Sequence, residues 1–140
     1  MALLSRKGLL AIAAVIDVAL HGRGRPVSAK ALGVRNRLPA RHLEPVLQAL
    51  VREGILKGIR GPRGGYELAR ERRRITADDI LRAAGTIEEN NDPALSSSPL
   101  FNEVVKPAVS QAERAFSTAL SRINVEDLAR RAEPFKDAAT

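Results

Sequence analysis

Apolar positions along the chain recur with two periods, and the places where the period breaks carry Gly, Pro or a capping side chain. From Arg6 to Leu20 there is no proline, and Leu9, Leu10, Ile12, Val15, Ile16, Val18 and Leu20 cover almost the whole circumference of a helix. A helix that is apolar on nearly every side belongs at the centre of a core. Ser5 is its N-cap, and Gly22, Gly24 and Pro26 end it in a turn. Ser28 then caps a short helix from Ala29 to about Leu32, which Gly33 stops, and residues 35–38 form a link. A third helix runs from about Pro39 to Arg52, where Leu43, Val46, Leu47, Leu50 and Val51 give the 3–4 spacing of one buried stripe. Gly54 suits the residue just past its end.

The period then changes. Residues 55–60 and 66–69 are short β-like runs around Gly61-Pro62-Arg63-Gly64-Gly65, which predicts a hairpin. A charged link follows at residues 70–74. Thr76 and Asp79 match a capping box that opens a fourth helix, closed by Gly85. Asn90 to Ser98 is polar, contains Pro93 and predicts a loop. From about Pro99 to Ile123 the helical spacing returns in Phe101, Val104, Val105, Ala108, Val109, Ala112, Phe116, Ala119, Leu120 and Ile123. Pro107 should kink this helix or end its first segment. Asn124 and Asp127 cap a last short helix to about Ala132, and the tail past Pro134 is expected to fray.

Composition narrows the class. With 44% hydrophobic residues in 140, the chain can build a real core. Only three Phe, one Tyr and no Trp are available, which disfavours single-strand or RNA binding by base stacking. The absence of cysteine removes disulfides, thiolate zinc sites, cysteine-held iron–sulfur clusters and thiol catalysis. His21 and His42 are too few for a histidine-rich metal site, and His21 reads as a helix C-terminal residue. The apolar run from Leu9 to Ile16 is too short for a bilayer and lacks a signal-peptide pattern. The expectation is a soluble cytoplasmic protein without membrane partner or bound cofactor.

Charge is partitioned. Residues 1–76 hold 16 Lys/Arg against 5 Asp/Glu, net +11, and residues 77–140 hold 7 against 11, net −4. A basic half joined to an acidic half suggests a polyanion partner for the first. The order helix, helix, helix, hairpin is that of a winged helix-turn-helix in a mainly α protein, with double-stranded DNA as that partner. The third helix would enter the major groove with Arg41, His42 and Glu44 toward the bases. Arg41 suits bidentate bonding to guanine, Glu44 accepts from cytosine, and His42 fits a boundary or phosphate contact. Arg60 and Arg63 at the hairpin tip suit the narrow minor groove. Lys7, Lys30, Arg35 and Arg37 read as phosphate contacts, and Ser28 completes the DNA-facing set.

The chain resembles the Rrf2 family of bacterial transcriptional regulators from about Leu4 to Leu128. Arg60-Gly61-Pro62-Arg63-Gly64-Gly65-Tyr66 looks like the family's wing signature, and Ser5-Arg6-Lys7-Gly8 like its opening. Leu43-Glu44 is similar to its recognition helix, and Ile75-Thr76 with Asp79-Ile80 to the start of its fourth helix. The resemblance implies a homodimer held by the long C-terminal helix on a palindromic operator. The apolar stripe agrees, because so long a helix cannot bury all of it on its own small domain. The interface core is expected to include Phe101, Val105, Val109, Ala112, Phe116 and Leu120.

Two departures stand out. Many relatives place three cysteines between the fourth helix and the long helix to hold an iron–sulfur cluster, whereas here residues 88–99 carry none. A signal would then enter through a small metabolite or a protein partner. Pro45 lies inside the recognition helix, where a kink or an angled first turn is expected. The organisation read from the sequence is a winged DNA-binding domain at 1–86, a sensor-position loop at 87–98, a dimerisation helix with a terminal short helix at 99–133 and a frayed tail at 134–140. The alternative is a winged-helix interaction adaptor without specific DNA binding. An enzyme is not indicated, since there is no phosphate loop before a helix, no metal spacing and no Ser/His/Asp set.

Overall fold

The first helix, α1 (Arg6–His21), is the pillar around which the other elements pack. Ser5 caps it as expected, its hydroxyl accepting a hydrogen bond from the Gly8 amide at 3.2 Å. Ala11, Val15 and Val18 are fully buried, and α3, α4, α7 and the second hairpin strand lie against the helix. The computed structural model describes residues 4–85 and 93–136.

α2 (Ala29–Asn36) begins at Ser28, whose hydroxyl accepts from the Ala31 amide at 3.1 Å. It runs a full turn further than the sequence suggests, and Gly33 lies inside it rather than ending it. The reason is the turn that follows. A Cβ on Gly33 would sit 2.6 Å from the Leu38 carbonyl oxygen, so this glycine admits close chain passage instead of stopping the helix. The helix ends at Arg37, which takes the left-handed conformation (φ 57, ψ 43) and donates its amide back to the carbonyls of Gly33 and Val34.

α3 (Ala40–Arg52) follows after that short turn and buries Leu43, Val46, Leu47 and Leu50 of the stripe read from the sequence, while Val51, its last member, is only partly buried. The helix continues without interruption through Pro45, which lies on its exposed face. Pro45 has no amide to donate to the Arg41 carbonyl, but its ring points away from the core.

Strands β1 (Leu56–Ile59) and β2 (Gly65–Leu68) pair antiparallel with Leu56 opposite Leu68 and Gly58 opposite Tyr66. Val27 adds a third, one-residue rung: its amide and carbonyl exchange hydrogen bonds with Tyr66 at 2.9 and 2.8 Å. After a single turn of 3-10 helix at Arg72–Arg74, α4 (Ala77–Ala83) opens with the expected capping box between Thr76 and Asp79. Gly85 follows with φ 74.

The start of the predicted loop from Asn90 to Ser98, residues 90–92, lies outside the described residues. Its second half holds a short helix, α5 (Pro93–Ser96), which the sequence reading did not anticipate. The long helix is not uniform either. Residues 99–100 are helical, Phe101–Val105 form a π-helical segment closed by the Lys106 amide on the Phe101 carbonyl, and α6 (Lys106–Ser121) continues from it. The disturbance expected of Pro107 takes this form, because Pro107 cannot donate to the Glu103 carbonyl and the helix widens just before it.

α7 (Val125–Ala132) starts at Asn124, whose side chain accepts from the Asp127 amide at 2.9 Å. The sequence groups this helix with the dimer helix. In the fold it turns back onto α1 and buries Val125 and Ala129 in the main core. A 3-10 turn, Glu133–Phe135, follows α7, and most of the tail expected to fray past Pro134, residues 137–140, lies outside the described residues. No described helix is long and apolar enough to cross a membrane.

The stripe of α6 divides between two uses. Leu120 is 8% exposed and packs with Ala77 and Leu81 of α4, with Phe116, Leu4 and Ile12 against them. Leu120 was expected in an interface with a second chain, but its own chain covers it. Helical spacing tells which side chains share a face, not which neighbour covers that face. Of the large apolar side chains left open, Leu100, Val104, Val105 and Val109 lie nearer the start of the helix, and Ile123 lies past its end.

Candidate nucleic-acid interface

The buried stripe of α3 turns the opposite face outward. Leu43, Val46, Leu47 and Leu50 face the core, so Arg41, His42, Glu44, Pro45 and Gln48 are exposed. Among the described residues, Arg41, His42 and Glu44 take part in no side-chain hydrogen bond or ion pair. They stand in the first turns of the helix, the end that a recognition helix presents to base edges. Gln48, which sequence reasoning passed over, is one turn beyond Glu44 on the same face. The spacing of four was the available signal. Its amide donates weakly to the Tyr66 hydroxyl at 3.5 Å, linking α3 to the hairpin.

The hairpin tip is shaped by its glycines. Gly61 has φ 117, a conformation other residues rarely adopt, and the Gly64 amide donates to its carbonyl at 2.9 Å. A Cβ on Gly64 would fall 2.1 Å from the Ile59 carbonyl oxygen, and one on Gly65 would fall 2.5 Å from the Val27 carbonyl. Steric closeness thus explains the paired glycines before Tyr66. The tight turn holds Arg60 and Arg63 out into solvent, again without a side-chain partner among the described residues.

The remaining candidates separate. Lys30 is exposed in the first turn of α2, and Arg37 is exposed at the turn between α2 and α3. Ser28 has its hydroxyl engaged in capping. Lys7 is exposed, with its ammonium beside the end of α4, near Gly85. That placement sets a cation against the negative end of a helix. Arg35 differs from the expectation. Its guanidinium donates to both carboxylate oxygens of the buried Asp17 at 2.8–3.1 Å, and Asn36 donates to the same carboxylate at 3.4 Å. Arg35 therefore serves the fold and is turned away from the free cationic set. Sequence spacing could not reveal this, because Asp17 is 18 residues away and is brought to Arg35 only by the tertiary fold.

Known proteins share this fold. The Rrf2 family model, described as an iron-dependent transcriptional regulator, matches residues 4–131. The transcriptional regulator CymR of Bacillus subtilis is 40% identical over 80 residues, covering 56% of this chain and 57% of that protein. IscR of Xenorhabdus nematophila is 35% identical over 80 residues, 57% of this chain and 49% of that protein. The matched stretch thus spans about half the length of the curated relatives. Among solved structures, T. potens IscR superposes with a TM-score of 0.72 at 30% identity, covering 94% of this chain and 89% of that one. The structure of B. subtilis CymR, described as the global cysteine regulator, gives 0.64 at 30% identity over 91% and 95%.

The iron in the family's description meets a donor set that does not fit it. The chain has no cysteine, and the described residues contain no group of three His, Cys, Asp or Glu placed to hold a metal. His21 ends α1 and His42 lies in the first turn of α3. A cysteine-held iron–sulfur centre has no ligands in this sequence. With its family model spanning nearly the whole described fold, the chain belongs to the Rrf2 family of transcriptional regulators, as a member without cysteine.

Proposed function

We propose that this chain regulates transcription in the cytoplasm by binding double-stranded DNA as a homodimer on a palindromic operator. One observation carries the reading: Arg41, His42 and Glu44 on α3 and Arg60 and Arg63 on the hairpin are exposed and unpaired among the described residues. A protein with no anionic partner has little reason to leave three arginines free on the two elements that reach grooves. Arg41 and Glu44 read bases in the major groove, Arg60 and Arg63 lie in or beside the minor groove, and Lys7, Ser28, Lys30, His42 and Arg37 contact phosphates. Arg35 is left out of this set because Asp17 holds it.

The dimer is supported by Leu100, Val104, Val105 and Val109, large apolar side chains left exposed along the first half of the long helix. A two-fold axis through that surface gives two recognition helices and hence an inverted repeat. The signal is a metabolite or a protein partner acting at the segment before α6 and moving the winged domain against the dimer helix. Its coupling is limited to the effector's difference in affinity for the two arrangements, typically about 1–3 kcal/mol.

Selection of bound duplexes from random DNA, followed by binding at two salt concentrations, tests the reading. Enrichment of an inverted repeat with steep salt dependence is expected. Binding that enriches no sequence would instead favour an interaction adaptor.

A further inference from the structure

Between the inner face of the hairpin and helices α2 and α3 runs an open trough of about 500 Å³, lined among others by Ser28, Gln48, Gly58, Arg60 and Tyr66. No acidic side chain lines it, Arg60 stands at its lip, and the capped start of α2 opens onto it. Its walls are the two elements expected to reach the major and minor grooves. A helix in the major groove and a hairpin in the minor groove bring the sugar–phosphate backbone between them, and we propose that Gly58 is the residue that keeps this trough open for it. The inference rests on the DNA-binding reading above.

Gly58 carries the argument because the fold does not ask for a glycine there. Gly22, Gly33, Gly64 and Gly65 are needed because a Cβ would strike nearby backbone, and Gly24, Gly54, Gly61 and Gly85 because their φ is positive. Gly58 has neither constraint: a Cβ there meets nothing within 4 Å. It lies inside a β-strand, where glycine is unfavourable because it orders a freer backbone and packs no side chain. Strand alternation puts position 58 on the same face as buried Leu56, toward α3, with Tyr66 directly opposite. Any side chain at 58 would therefore stand in the trough. A mixed lining fits this occupant, since a nucleic-acid strand presents phosphate oxygens to Arg60, Gln48 and the Tyr66 hydroxyl, and sugar carbons to Val51 and Ile59.

The test is a graded series, Gly58→Ala, Gly58→Val and Gly58→Leu, in the full chain. The probe is a fluorescein-labelled random-sequence duplex of about 30 base pairs, read by anisotropy at several salt concentrations. Affinity should fall in step with side-chain size, reaching at least about tenfold for Gly58→Leu, with the salt slope shallower by about 1. The loss should be the same for every sequence, because a backbone seat reads no bases. Melting temperature should not fall for Gly58→Ala or Gly58→Val, which separates occlusion from misfolding. If wild type binds and the three variants bind as tightly, the trough proposal is overturned. If wild type itself fails to bind duplex DNA, the DNA-binding reading is what fails.

Discussion

The guanidinium of Arg35 donates to both carboxylate oxygens of Asp17, through Nε at 3.1 and 3.0 Å and Nη2 at 2.8 Å, and so ties the end of α2 to the middle of α1. Asp17 is 9% exposed and Arg35 partly buried, so water screens the pair poorly and neither charge tolerates the loss of the other. The tie lies immediately before the turn that sets the angle of α3.

Removing one partner leaves the other buried and unpaired. Asp17→Ala should lower the unfolding free energy by about 2–4 kcal/mol. Urea titration checks it, and the double variant Asp17→Leu/Arg35→Met should lose clearly less than either single loss implies. A phosphate-contact role for Arg35 would show instead as weaker DNA binding by Arg35→Met without loss of stability.

Arg37 holds a left-handed backbone conformation that costs a non-glycine residue roughly 1 kcal/mol. Arg37→Gly should relieve that strain and stabilise the fold by about 0.5–1 kcal/mol, while weakening binding to all duplexes alike through the lost phosphate contact. Thermal melting and anisotropy on one preparation read both effects, and a variant that gains stability with unchanged affinity would remove Arg37 from the interface.

Arg41 and Arg60 should fail differently. Arg41→Ala is expected to lose about 1–3 kcal/mol of discrimination at one position in each half-site while keeping much of its general affinity. Arg60→Ala should weaken binding most at sites with a narrow minor groove. Binding to a panel of single-base operator variants distinguishes the two patterns, and a uniform loss for Arg41→Ala would contradict base reading.

The two ends of the long helix should also separate. Val109 is half exposed, so Val109→Glu should shift sedimentation from dimer to monomer while leaving the melting temperature of the single chain nearly intact. Leu120 is covered by Ala77 and Leu81, so Leu120→Ala should destabilise the chain itself by about 2–3 kcal/mol. A wild type that sediments as a monomer at micromolar concentration would remove the dimer reading.

Local rules written into neighbouring residues were readable without a structure. Ser5, Ser28, Thr76 and Asn124 start helices because a short side-chain oxygen can accept from an amide two or three residues on, and that bond needs nothing distant. The stripe of α3 and the hairpin around Gly61 to Gly65 follow from periods and turn chemistry of the same short range. The outward face of α3, with Arg41 and Glu44, is simply the complement of that stripe.

Tertiary packing decided the rest, wherever the partner is remote in sequence. Gly33 reads as a helix stop until the Leu38 carbonyl is seen 2.6 Å from where its Cβ would stand. Arg35 reads as a free cation until α1 brings Asp17 against it. Leu120 belongs to a stripe whose cover, α4 of the same chain, no spacing within α6 could name. Gly58 is one glycine among several until the space around it proves empty. In each case the sequence specifies a side chain's chemistry and facing, while the group that satisfies or crowds it is set by which elements fold against each other.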